Sequence, residues 1–302
     1  MDIFFEINYP SVVITAWLGL MAVFVIRRKR TETYRTSEKR HRDTVILHQA
    51  GRAPFAPSLS PFAVKLETYL RMAKIPYQNI HDKKLGPKSK LPWIEYNDLV
   101  IPDSQHIIEY LNEVRHVDLN KNLTCEQMSI ATAFQRMVDE HTYWLMVISR
   151  WRYDTEKTVL KLAKWSWFKI KLATWLVNKQ TYQQGLGRHT RQEIMSIIDK
   201  DFKALSNFLG SKKFIFGDDP CELDCSLFGQ LSQLRYHIHV KEIKELFKRY
   251  PNLDRYCEQM KSAYWPDWNE CVTVRSESMQ NCTIQQNGTR THLHCEKTEI
   301  QN

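Results

Sequence analysis

The stretch VILHQAGRAPFAPSLSPFAVKLETYLRMAKIPYQNIH, residues 45–81, opens with a short β-prone run and passes through a turn rich in proline and serine. It turns helical at Pro61. Ser60 suits an N-cap, because its side-chain oxygen can accept from a first-turn amide. Pro61 suits the first helical position, because its missing N–H costs nothing there and its fixed φ fits the helix. Phe62, Leu66, Tyr69, Leu70 and Ala73 supply an apolar stripe, and after Ile75-Pro76 the run YQNIH reads as a second strand. The stretch therefore predicts a βαβ unit.

Outward from it, Leu91-Pro92-Trp93 leads into the strand WIEY, Asn97-Asp98 makes a turn, LVI returns, and Asp103-Ser104 precedes a helix through Ile107, Ile108 and Leu111. A serine hydroxyl beside free backbone N–H groups at a helix N-terminus makes a seat for a carboxylate. The alternative is that Ser104 only caps its helix.

Beyond this hairpin the period is helical. Thr124 with Gln127 forms a capping box, and Ala131, Phe134, Val138, His141, Leu145 and Ile148 recur at spacings of three and four, with His141 read as a hydrogen-bonded core residue. Thr190 with Glu193 opens another helix, stopped near Gly210. Between them, Lys157 to Tyr182 interleaves Lys161, Lys164, Lys169, Lys171 and Lys179 with Trp165, Trp167, Phe168 and Trp175. That mixture suits a membrane interface. The competing reading packs the aromatics inside and solvates the lysines.

The 302 residues are 43% hydrophobic and 25% charged, enough for two packed units with terminal extras. The net charge of +9 asks for an acidic partner, yet no nucleic-acid recognition motif accompanies it. Scattered cysteines, odd in number at 7, do not form a disulfide framework and favour a reducing compartment, whereas sequons at Asn122, Asn281 and Asn287 point the other way, to a secretory lumen. Ile7 to Ile26 is free of charge, long enough for one membrane span, and followed by Arg27, Arg28, Lys29 and Arg30. The expectation is a single-pass anchor over 1–26 with the bulk facing the cytoplasm. A basic linker over 27–43 comes next, where cations could meet anionic headgroups, and the polar segment 271–302 is expected to be a disordered tail. Its Cys282, His292, His294 and Cys295 match no structural zinc spacing, so no metal site is assigned.

The order strand, loop, helix, then Pro92 before a hairpin, then Asp103-Ser104 at the next helix, resembles glutathione S-transferases. So does FIFGDDPCELDCSLFGQL, where Asp224 matches the family's buried capping aspartate and Cys221 stands where serine or threonine is usual. More narrowly, the spacing RAPFAPSLSPFAVKLETYLR, the motif QGLGRH at Gln184 to His189 and the N-terminal apolar run resemble the failed axon connections family and its cadmium-responsive nematode relatives, themselves similar to metaxins. The resemblance implies an α+β fold, a thioredoxin-like domain over 44–118 and an all-helical transferase-type domain over 119–270, preceded here by the expected transmembrane helix. It implies glutathione as co-substrate or ligand, a cis Leu91-Pro92 bond whose backbone pairs with the cysteinyl part, Asp103 and Ser104 at the γ-glutamyl group, and a homodimer in many members. A transferase also needs a group that lowers the thiol pKa near the first helix, and the candidates are Ser58 and Ser60. Detoxification, metal stress or neural development are the roles implied, with a non-catalytic metaxin-like adaptor as the alternative.

Overall fold

The Ser60-Pro61 start is realised as written. Ser60 is extended at φ −95°, ψ 121°, its Oγ accepts from Ala63 N, and α1 (Pro61–Met72) runs from there. The computed structural model describes residues 42–82 and 84–274. The strands β1 (Val45–Gln49), β2 (Tyr77–His81), β3 (Trp93–Tyr96) and β4 (Leu99–Pro102) form one sheet in the order β2-β1-β3-β4. β1 is parallel to β2, as a crossover through α1 requires, and antiparallel to β3, which pairs antiparallel with β4. Every residue of β1 is buried, so its run VILHQ does not alternate. α2 (Ser104–Arg115) follows β4.

The helical half begins with α3 (Cys125–Arg136), whose Thr124–Gln127 capping box forms in both directions. The chain stays helical to residue 153, through a π segment (Met137–Thr142), α4 (Tyr143–Ile148) and a second π segment (Ser149–Tyr153). Then come α5 (Thr158–Leu162), α6 (Trp167–Gln184) and α7 (Arg191–Leu209), which also carries its capping box. α8 (Glu222–Ser232) leads into a π segment (Gln233–His237), succeeded by α9 (Lys241–Arg249) and α10 (Pro251–Tyr264).

α8 joins the two halves: it is buried from Leu223 to Ser232 and lies against α1. A Cβ at Gly229 would stand 2.6 Å from Pro61 O, so only glycine lets the two helices approach this closely. Cys221 does not weaken the start of α8, because the Asp224 carboxylate accepts from Cys221 N (2.9 Å), from Ile215 N (3.1 Å) and from the Tyr256 hydroxyl (2.8 Å). Burial raises the Asp224 pKa, opposed by these bonds. Residues 271–274 extend the fold, pairing Val272 with Ala53.

The expected transmembrane helix and the single-pass placement built on it are corrected. Among the described residues no helix is long and apolar enough to cross a membrane, and the run 7–26 lies outside them. The linker 27–41 and the tail 275–302 also lie outside the described residues.

Candidate functional site

Strand register brings the separated motifs to one end of the sheet. Trp93 stands opposite His48 on one side and Pro102 on the other. Pro92, the loop that leaves β1 for α1, and Asp103-Ser104 therefore share an edge. The Leu91-Pro92 bond is cis. Trp93 is fully buried and stacks on His48 at 3.7 Å between ring centroids, while its indole N–H donates to Lys84 O (2.9 Å). His48 in turn lies 3.2 Å from Asp82 Oδ2 and 3.0 Å from Glu95 Oε1. Gly86 is required here, since a Cβ would meet Trp93 Cγ at 2.7 Å. The segment that carries Pro92 is thus clamped from three directions.

At the head of α2 the cap is Asp103, not Ser104. Asp103 takes φ 82° and its carboxylate accepts from Gln105 N (3.1 Å) and His106 N (3.4 Å). Ser104 is the first helical residue and buried, so its hydroxyl is not spent on capping. Just behind it, Gln105 Oε1 accepts from the Lys65 ammonium (2.9 Å), and Lys65 also pairs with Asp139 at 2.7 Å. These bonds fix α1, at its second turn, beside the first turn of α2 and against the first π segment.

The two serines of the first turn differ. Ser58 is fully buried, and its Oγ accepts from Ser60 N (3.2 Å). Ser60 is half-buried, and its Oγ accepts from Ala63 N at 3.4 Å through a lone pair, a bond that does not use its hydroxyl hydrogen. The helical half holds the turn by its backbone. Gln233 Nε2 donates to Ser58 O (3.0 Å), Arg150 Nη1 donates to Leu59 O (2.7 Å), and His237 Nε2 accepts from Phe55 N (3.3 Å) and Ala56 N (3.1 Å). Gln233 Oε1 ties the group together, accepting from Arg150 Nη2 (2.7 Å) and from His237 Nδ1 (3.0 Å). Because Nε2 accepts, the imidazole is neutral with its proton on Nδ1. Burial drives the His237 pKa well below its ordinary value, and the charges of Arg150 and His239 push the same way. Burial lowers Arg150 to about 10, opposed by Tyr143 and Asp154, so it stays cationic at neutral pH.

The glutathione S-transferase N-terminal domain matches residues 61–156, and the glutathione S-transferase C-terminal domain matches residues 198–260. The isoprene-epoxide–glutathione S-transferase of Rhodococcus sp. (strain AD45) is 30% identical over 227 residues, covering 69% of this chain and 94% of that protein. The chain belongs to the glutathione S-transferase family. Within it, failed axon connections of Drosophila melanogaster is 34% identical over 257 residues, 77% of this chain, and the chain spans only 60% of that relative's length. Metaxin-2 of Mus musculus is 22% identical over 69% of the chain and 83% of its own. In three dimensions, a glutathione S-transferase from Rhodospirillum rubrum superposes with a TM-score of 0.51 at 15% identity, over 76% of this chain and 92% of its own. A glutathione transferase from Populus trichocarpa gives 0.52 at 13%, over 76% and 99%. At these identities the superpositions speak to the fold alone.

Pro92, the loop from β1 to α1 and Asp103-Ser104 thus lie at one end of the sheet. The braces Arg150, Gln233 and His237 escape a reading of the sequence. They sit as many as 182 positions from the backbone they hold, and no local spacing announces them. Among the described residues, no group of three or more His, Cys, Asp or Glu side chains could hold a metal ion.

Proposed function

We propose that this chain binds glutathione along the edge formed by Ser60, Leu91-Pro92 and Asp103-Ser104. The observation that carries the reading is the convergence of these three segments, set by strand register and by the Lys65–Gln105 bond of 2.9 Å between α1 and the first turn of α2. The Leu91 backbone beside Pro92 offers an antiparallel edge to the cysteinyl part. The Ser104 hydroxyl and amide suit the γ-glutamyl carboxylate at a helix N-terminus, and the Asp103 carboxylate suits its ammonium. The thiol then lies toward Ser60, whose free hydroxyl hydrogen supports a thiolate beside the α1 dipole. Conjugation, and the detoxifying or metal-stress role that would rest on it, requires that this donor lower the thiol pKa.

Ser58 is assigned to holding the turn, because its oxygen is buried and engaged. That same bracing favours a second reading, an adaptor in the manner of failed axon connections and metaxins that keeps the fold without turnover. Titration calorimetry with reduced glutathione separates the two. Heat is expected at millimolar ligand, with Ser104→Ala weakening binding by roughly tenfold, the loss of one charge-assisted hydrogen bond. No heat from the intact chain would leave only the adaptor.

A further inference from the structure

α6 turns its apolar side away from the protein. Its buried residues are Ile170 and Thr181, and Ala173, Thr174 and Val177 complete a narrow inner stripe at helical spacing. On the opposite side, Phe168, Leu172, Trp175, Leu176 and Tyr182 fall on one face, with Trp167 at its margin. Trp167 is 69% exposed, Phe168 62% and Trp175 60%. A helix that merely covers a core hides such residues; this one displays a ridge of aromatic and aliphatic side chains.

The charge around the ridge has one sign. From Lys161 to Arg188 the cations are Lys161, Lys164, Lys169, Lys171, Lys179 and Arg188, and the segment contains no aspartate or glutamate. Lys171 Nζ lies 4.9 Å from the Trp167 ring and Lys179 Nζ 5.9 Å from that of Trp175, so ammonium groups and indoles occupy the same level. That is the order of a bilayer interface, with hydrocarbon innermost, tryptophan at headgroup depth and lysine among phosphates. A second copy would bring the same cations to the ridge with no acid from this segment to neutralise them. The helix is too polar to span a membrane.

We propose that α6 is a peripheral docking face for an anionic lipid bilayer. It lies parallel to the surface, with Phe168, Leu172 and Leu176 in the acyl boundary, Trp175 at headgroup depth beside Lys179, and Lys169, Lys171 and Lys179 on lipid phosphates. This face is separate from the glutathione edge and does not depend on it.

The test is flotation of the full chain with vesicles of phosphatidylcholine alone and of phosphatidylcholine with phosphatidylserine. Wild type floats with the anionic vesicles, and added salt weakens it. Phe168→Glu with Trp175→Glu lowers the bound fraction at least tenfold. Replacement of Lys169, Lys171 and Lys179 by Gln, which leaves the ridge intact, weakens binding by roughly fivefold per lysine. Circular dichroism and an unchanged thermal unfolding midpoint confirm that the variants are folded. The proposal is overturned if wild type does not float, or if both variants float as it does, which would place the lipid contact elsewhere in the chain. It is equally overturned if sedimentation velocity shows the ridge variant dissolving a self-association while flotation persists.

Discussion

The Ser60 oxygen accepts weakly from Ala63 N, while the Ser58 oxygen is enclosed and accepts from Ser60 N. Exchanging either for alanine removes one hydroxyl, but the consequences diverge. Ser60→Ala should cost about 1 kcal/mol of stability as a lost cap. It should also raise the pH at which bound glutathione shows its ultraviolet thiolate band. Ser58→Ala should destabilise the turn and leave that pH unmoved; equal behaviour of the two variants would remove serine from thiol activation. His237 makes the second prediction at this scale. Its folded pKa lies well below that of the unfolded chain, so below about pH 6.5 the unfolded state binds a proton that the folded state refuses. Stability is therefore flat above that pH and falls as acid is added, where an imidazolium would face the Phe55 and Ala56 amides and the Arg150 charge. His239, also lowered by burial, adds in the same direction. Melting temperature against pH should show this limb, reduced to the His239 part in His237→Gln. Ser60, Pro92 and Ser104 are legible in sequence because caps and pre-hairpin prolines are local. His237 is not, since its role lies in meeting the Phe55 and Ala56 amides of the other half, far away in sequence.

The helix from Cys125 to Tyr153 shows what periodicity misses. Ala131, Val138, Leu145 and Ile148 are buried as their spacing predicts, yet two π segments interrupt the α-helix. Each widens a turn and resets the helical phase of the residues after it. The first lies where Asp139 meets Lys65, and it leaves the His141 side chain 40% exposed while still bonded to Asp201 at 3.0 Å. The second carries Arg150 to the first turn. Nothing in the residue pattern marks these insertions, because a π turn is chosen by tertiary bonds that repay its strain. The Lys65–Asp139 pair is the measurable one. Both side chains are nearly enclosed, and Asp139 Oδ1 has no hydrogen-bond partner among the described residues. Lys65→Met should cost about 3–5 kcal/mol, because it strands a buried carboxylate, whereas Lys65→Met with Asp139→Leu should recover most of that loss. Chemical denaturation of these two variants and of Asp139→Leu alone checks this, and additive losses would mean the pair is not coupled. Glutathione affinity should fall with Lys65→Met as well, since Gln105 loses the bond that seats α2.

Across the whole molecule, the end of the described chain closes back on the first turn. Thr273 N donates to Ala53 O (3.0 Å) and Val274 N to Pro54 O (3.1 Å). The polar sequence beyond residue 270 reads as a tail, but a backbone pairing needs no apolar side chain, so hydropathy does not reveal that Thr273 and Val274 pair with the first turn. The anchor for this strap is Arg71 on α1. Its guanidinium lies 3.9 Å over the Trp265 ring, forks onto Asp267 and approaches Glu67, which also takes both terminal nitrogens of Arg52 at 2.8 and 2.9 Å. The Arg71 bond holds Asp267 down to about 2, against the opposing effect of burial. With the folded value depressed, the pair's contribution is complete above the unfolded value near 3.8 and is lost as pH falls from there through about 2. Asp267 is 37% exposed on its side chain, so solvent screening leaves the pair worth about 1 kcal/mol. Asp267→Asn should therefore lower the melting temperature at neutral pH by a few degrees and erase this part of the acid limb. Because the strap holds Ala53 and Pro54, the same variant should speed hydrogen exchange at the amides of Ala53, Phe55, Ala56, Ser58, Leu59 and Ser60. Unchanged exchange there would show that Arg150, Gln233 and His237 hold the turn without help from the chain's other end.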